Sequence, residues 1–269
     1  MADIKEYYSA NVKREWERLT QDPYHKLEFE TTLHFLKKHL PKKGLVLDAG
    51  GGPGRYTVEL AKQGYEVVLS DIAKANLEFA KRQITDSKLQ NKVKDVVEGS
   101  IVDLSEFAHN TFDAVICLGG PLSHVEGDEN RNKAVTELIR VAKKHAPIFV
   151  SVFGKFGGLI LDLYGSTDKI SAAGFKRFVS TGEDYSWRKK YYAHYFTSEE
   201  LQSLFTQNGC KIVALAGLEG LGTPLPEAIN KLAKNEKAYR NWLKAHYKLC
   251  TYPVVAGLSI HMLIVAKKI

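Results

Sequence analysis

Between Gly44 and Phe153 the sequence alternates short, wholly apolar runs with longer stretches of helical periodicity, and this alternation leaves few folds open. Leu45-Val46-Leu47 predicts a buried strand, followed by a helix over Tyr56–Gln63 that Gly64 closes. Glu66–Ser70, Val93–Val97, Phe112–Leu118 and Ile148–Phe153 predict further strands, with helices over Ala73–Asp86 and Glu129–His145. Strands that are apolar at nearly every residue must be covered on both faces. This is the pattern of a parallel sheet between two helical layers, joined by right-handed crossovers. In such sheets ligands bind beyond the carboxyl ends of the strands, where the strand order reverses. Site residues are therefore expected just past Leu47, Ser70, Val97 and Leu118.

On either side of this stretch the pattern changes. Residues 4–40 read as helical, with a break at Asp22-Pro23 and a stop at Pro41, so 1–43 is expected to form a helical arm or lid ahead of a 44–269 domain. After Phe153 come glycines and the aromatic cluster Tyr191-Tyr192-Ala193-His194-Tyr195-Phe196. Thr197-Ser198-Glu199-Glu200 then marks a capped helix start. Lys211–Ala216 predicts a sixth strand and Leu258–Ala266 a last one, which makes seven, mostly parallel. Residues 154–194 and 217–257 are left as insertions, expected to form a cap over the carboxyl edge of the sheet.

Composition narrows the chemistry. No run of eighteen apolar residues is present, and the charged N-terminal stretch lacks the apolar core of a secretory signal, so the expected setting is cytoplasmic. Cys117, Cys210 and Cys250 are scattered and odd in number, which predicts reduced thiols and no metal site. The net charge of +7 favours acidic partners in general. Its densest patches are Arg188-Lys189-Lys190 and the lysines at 231, 234, 237, 244 and 248. The second set lies at helical spacing opposite Ile229, Leu232, Tyr239, Trp242 and Leu243, as on the solvated face of an amphipathic helix.

The most informative segment is Val46-Leu47-Asp48-Ala49-Gly50-Gly51-Gly52-Pro53-Gly54-Arg55-Tyr56. Glycines at a strand-to-helix turn let a ligand approach the backbone and expose N–H groups at a helix start. The dinucleotide fingerprint G-x-G-x-x-G fails here, because the sixth position from Gly50 is Arg55. The segment instead resembles the first motif of the class I S-adenosylmethionine-dependent methyltransferases, hD-x-G-x-G-x-G. The later elements continue the resemblance. Val67-Val68-Leu69-Ser70-Asp71 is a strand ending in an acid, Val97-Glu98-Gly99-Ser100-Ile101 resembles the third motif, and Phe112–His124 resembles the fourth.

The resemblance implies a Rossmann-like methyltransferase fold, S-adenosylmethionine as cofactor and methyl transfer by direct displacement. It places Asp48 at the amino-acid end of the cofactor, where a carboxylate suits a cationic sulfonium and ammonium and would repel a diphosphate. It gives the turn contacts to Gly50, Gly52 and Gly54, and it gives Asp71 the two ribose hydroxyls. Ile72 and Ile101 are expected in the adenine pocket, with Ser100 standing where many relatives carry an acid. Leu118 is expected beside the transferring methyl. Tyr8 is the expected contact of a lid helix over the cofactor.

For an acceptor that must lose a proton, His124, just past the fourth strand, is the candidate general base, with Tyr195 and then His194 as secondary candidates. His261 reads as structural, and Glu126, Asp128 and Glu129 as helix-entry charges. The base-gripping Asn/Asp-Pro-Pro-aromatic motif of nucleic-acid amino-methyltransferases is replaced by Leu-Gly-Gly-Pro-Leu-Ser-His, and no Pro-Cys nucleophile occurs. The expectation is thus a methyltransferase for a small-molecule acceptor. An RNA or protein methyltransferase, a non-catalytic S-adenosylmethionine-binding protein and a nicotinamide oxidoreductase remain as alternatives.

Overall fold

In the computed structural model, which describes residues 4–165, 167–185 and 191–269, the alternation resolves into a parallel sheet between helices. The elements run α1 Ile4–Ala10, α2 Val12–Arg18, α3 Pro23–His39, β1 Leu45–Ala49, α4 Arg55–Lys62, β2 Glu66–Asp71, α5 Lys74–Asp86, β3 Val93–Glu98 and β4 Ala114–Cys117. A 3-10 turn at Pro121–His124 leads to α6 Asp128–Val141 and β5 Pro147–Gly154. Then follow α7 Lys155–Gly165, α8 Thr167–Ser171, α9 Gly174–Thr181, β6 Glu183–Tyr185, β7 Tyr192–Phe196 and α10 Ser198–Gln207. The chain closes with β8 Cys210–Gly217, α11 Pro226–Leu232, α12 Glu236–Leu249, α13 Pro253–Gly257 and β9 His261–Lys268.

The main sheet has the order β3-β2-β1-β4-β5-β9-β8, parallel through β5, with β9 antiparallel to both of its neighbours. These are the seven expected strands. The hairpin of β6 and β7 adds to them, because β7 pairs with the last two residues of β5, beyond the point where β4 stops. Strand order reverses between β1 and β4. The two chain segments leaving their carboxyl ends diverge there and open a crevice. Each face of the sheet carries its own apolar cluster. One is built on Leu47, Val115, Val150 and Ile264 under α6 and α10; the other is built on Val46, Ile116, Phe149 and Val265 under α3, α4 and α5.

The differences from the sequence reading lie at element ends. The last strand begins at His261 and not at Leu258. The preceding residues close α13, and the Ser259 hydroxyl is committed to a tertiary contact, accepting from the N–H groups of Glu219 and Gly220. The helix expected to reach His145 stops at Val141, where Phe112 N–H takes its carbonyl. The basic stretch forms two helices, because Asn235 caps a new start by accepting from Ala238 N–H. Its lysines face solvent, as expected. Arg188-Lys189-Lys190 lies outside the described residues. Among the described residues, no helix is long and apolar enough to cross a membrane.

Candidate active site

The glycine turn is shaped by what surrounds it. Gly50 and Gly51 both donate to the Ser70 carbonyl at the end of β2, at 2.7 and 3.1 Å, which folds the turn back over the sheet. Gly50 has φ +70°, and a Cβ there would stand 2.7 Å from Pro121, so glycine is required on both counts. Gly52, at φ +57°, has only Asn76 Nδ2 near its missing side chain, at 3.8 Å, and the space above it is open. That space belongs to a cavity of about 380 Å³ at the crevice between β1 and β4.

The residues lining the cavity come from the four expected positions and from the N-terminal arm. Gly50 and Gly52 follow β1, Asp71 and Ile72 end β2, Ser100 and Ile101 follow β3, and Leu118 and His124 follow β4. Tyr8 joins them from α1. Nine of the twelve expected site residues therefore share one cavity. Asp48, Gly54 and Tyr195 do not line it. Gly54 caps α4 and packs on Ala80. Tyr195 is packed between Phe153 and Phe178, with ring centroids at 5.5 and 5.1 Å, behind the cavity wall. His194, on the opposite face of β7, is bound to Glu200 at 2.6 Å.

Asp48 lies beneath the turn and is fully buried. One carboxylate oxygen accepts from the Thr57 hydroxyl at 2.7 Å, and the other has no partner. Burial, reinforced by the charge of Asp71, pushes its pKa up to about 7 against the pull of Thr57. Asp71 is also buried, and its pKa is raised by that burial. Its Oδ1 accepts from Ala73 N–H and Asn76 Nδ2, and its Oδ2 accepts from Gly52 N–H at 2.8 Å. Three bonds leave the carboxylate one open lone pair, on Oδ2, so as placed it can take one ribose hydroxyl and not two.

At the other end of the cavity, His124 Nδ1 lies 3.0 Å from the Tyr192 carbonyl and Nε2 lies 2.9 Å from the Tyr8 hydroxyl. A carbonyl only accepts, so Nδ1 carries the proton. In the neutral ring Nε2 is then a lone pair receiving the Tyr8 O–H. The ring is walled by Phe153 and Tyr191, at 5.3 and 5.4 Å.

Glu15, Arg18, Glu126 and Asn130 also line the cavity and were not expected there. Arg18 forks onto the buried Glu28, with Nη1 and Nη2 at 2.6 and 3.2 Å from its two oxygens. Behind Glu28 stands His261, 3.6 Å away, which is itself held by Glu219 at 2.5 Å. Burial alone would depress the His261 pKa, but the two carboxylates outweigh it and the pKa is raised. Glu28, Glu219 and His261 could in principle hold a cation. However, Glu28 is already bound by Arg18, and Glu219 by Ser259, His261 N–H and the His261 ring. Nothing in the segment Val12–Arg18, a short run of charges around Trp16, marks residues 15 and 18 as cavity residues, because Arg18 is held by Glu28 on the next helix, and Glu28 faces the buried His261 only in the folded chain.

The arm is clasped over the crevice. Lys5 pairs with Glu98 at 2.5 Å, and Arg55 lies over the Trp16 ring at 3.7 Å while donating to the Trp16 carbonyl. Tyr7 packs on Tyr191. No described residue of 154–194 or 217–257 lines the cavity. The first insertion supports His124 from behind through Tyr191 and Tyr192. The second supports α3, where Tyr24 donates to Asn230 and to the Thr223 carbonyl.

The buried turn fits the cofactor implied by the motif. It offers open space above Gly52, a carboxylate with one free acceptor site, and buried acids suited to a cation. Comparison with known proteins agrees. Residues 46–145 match the family model described as a methyltransferase domain. The glycine/sarcosine N-methyltransferase of Aphanothece halophytica is 28% identical over 171 residues, covering 64% of this chain. The chain spans 58% of that relative's length. The glycine/sarcosine/dimethylglycine N-methyltransferase of Actinopolyspora halophila is 28% identical over 46% of this chain and 22% of its own. Among solved structures, a methyltransferase from Methanosarcina mazei aligns at TM-score 0.60 and 21% identity, covering 87% of this chain and 97% of its own. One from Thermotoga maritima aligns at 0.61 and 16%, covering 99% and 100%. At these identities the structures establish the fold.

Proposed function

We propose that this chain, a class I S-adenosylmethionine-dependent methyltransferase by its 46–145 domain and its fold, transfers a methyl group to a small-molecule amine in the cytoplasm. The observation that carries the reading is that one cavity holds the glycine turn and Asp71 at one end and His124 at the other. Bound S-adenosylmethionine supplies a methyl carbon already activated by its sulfonium.

The chain's own residues then bind, orient and exclude water. Gly50 and Gly52 leave room for the donor. Asp71 Oδ2 would accept a ribose hydroxyl of the bound donor, Ile72, Ser100 and Ile101 would hold its base, and Leu118 would border the reacting centre. Asp48 contributes charge from beneath the turn, and Gly54 sets the start of α4. Tyr195, outside the cavity, supports its wall. An amine acceptor arrives protonated and must lose that proton before its nitrogen can attack. His124 Nε2 takes it once the Tyr8 hydroxyl gives way. A nitrogen acceptor is supported by the relatives named for glycine and sarcosine, and a small one by the arm that encloses the crevice.

The test is turnover of S-adenosylmethionine against a metabolite extract, with S-adenosylhomocysteine and methylated products read by mass. The expected products are N-methylated small molecules. His124→Ala should lower turnover on the order of 100-fold or more while leaving S-adenosylhomocysteine affinity unchanged. Binding of NAD in place of the donor, or donor binding with no product from any extract, would overturn the reading.

A further inference from the structure

His124 takes its orientation from the Tyr192 carbonyl, which accepts from Nδ1 at 3.0 Å. That carbonyl belongs to the first residue of β7, at the turn end of the β6–β7 hairpin. β7 joins β5 only at Tyr195 and Phe196, so the main sheet does not itself fix Tyr192. Side chains do. Arg131, on α6, is only 3% exposed. Its Nη1 donates to the Val125 carbonyl at 3.1 Å and to the Tyr192 hydroxyl at 2.6 Å. Val125 is the residue after His124. One guanidinium therefore grips the chain just past the imidazole and the residue whose carbonyl the imidazole meets. Asp128 accepts from Arg131 Nη2, and the Tyr192 hydroxyl donates onward to Glu183 at 3.3 Å. A second bond, from the Tyr185 hydroxyl to Glu126 at 2.8 Å, joins the same hairpin to the same segment.

Neither Arg131 nor Tyr192 lines the cavity, so any effect they have on chemistry passes through His124. A neutral imidazole has two tautomers, and only the one with a bare Nε2 can accept a proton from the cavity. A Tyr192 carbonyl held against Nδ1 keeps the proton there. If the carbonyl drifts, the proton can sit on Nε2 and be donated to the Tyr8 hydroxyl, and the base is lost. We propose that Arg131 is a positioning residue for His124, latching the hairpin through the Tyr192 hydroxyl so that the ring stays in its Nδ1–H tautomer. The inference rests on the reading of His124 as the general base.

Nitrogen-15 spectra of His124 in the full chain, recorded at alkaline pH where the ring is neutral, read the tautomer directly. The variants are Tyr192→Phe, which keeps the carbonyl and loses only the hydroxyl, Arg131→Met, and the conservative Arg131→Lys. The first two should move the tautomer ratio toward Nε2–H on the order of 10-fold, and Arg131→Lys should restore much of it. Turnover of S-adenosylmethionine with a metabolite extract should fall on the order of 3- to 10-fold in the same two variants, with S-adenosylhomocysteine affinity unchanged in calorimetry. If Arg131→Met does not fold, Tyr192→Phe alone decides. A wild-type tautomer pattern in Tyr192→Phe would refute the latch, as would a loss of S-adenosylhomocysteine affinity that accounts for the lost turnover. A wild-type chain with no turnover would refute the methyl-transfer reading instead, and the spectra would still decide the latch.

Discussion

Replacing Asp48 with asparagine should change how stability depends on pH, and by an amount the structure sets. The carboxyl is fully buried and has one unpartnered oxygen. Its pKa rises from the ordinary 3.8 to about 7. At about 1.4 kcal/mol per tenfold change in proton affinity, ionising it in the fold costs about 4 kcal/mol more than in the unfolded chain. The folded pKa is the higher one, so between about pH 4 and pH 7 the folded state binds more protons. Stability contributed by this group is therefore complete below about pH 4 and is lost as pH rises through 7.

Asp48→Asn removes that loss. The variant keeps an acceptor for Thr57 but places a buried NH₂ where the unpartnered oxygen stood, a penalty of about 1–3 kcal/mol that does not vary with pH. Urea unfolding of both proteins at pH 4, 6 and 8 gives the comparison. The variant should be the less stable protein at pH 4, and its relative stability should improve by about 4 kcal/mol on reaching pH 8. Background titrations common to both proteins cancel in the difference. A difference that is flat across this range would mean that Asp48 titrates as an exposed carboxyl does, and the reasoning from burial would be wrong.

Three further outcomes are expected. Asp71→Ala should weaken S-adenosylhomocysteine on the order of 10-fold or more by calorimetry and should also lower the melting temperature, because this carboxylate holds Gly52, Ala73 and Asn76 in the turn. His261→Gln leaves Glu28 and Glu219 without the imidazolium between them and should destabilise the fold by about 3–5 kcal/mol. Since the His261 pKa is raised in the fold, that difference should be largest at acid pH and shrink as pH rises through the folded value; a constant difference in urea unfolding would refute an ion-pair role. Thr197→Ala should remove about 1 kcal/mol by breaking the capping box with Glu200, read by the same unfolding curves.

The chain's local chemistry determined the doubly wound sheet, the positions where it would open, and most of the side chains that line the opening. Apolar runs such as Val67-Val68-Leu69 can only be buried strands, and Gly50 and Gly52 meet the demands of a turn that carries no side chains. These signals are local, read within a dozen residues. The same signals put His124 and Asp71 at strand ends, where the crevice had to be. The tertiary structure alone decided what closes the cavity. Among the described residues it is the arm that lines the cavity, and the charged pair in the wall is Glu15 with Arg18, held by Glu28, which His261 and Glu219 back. A short charged helix looks alike whether it faces water or a cavity. What tells the two apart is the burial of Glu28, the partner of Arg18, against His261 from the far end of the chain, and burial is a property of the packed chain that no window of its sequence contains.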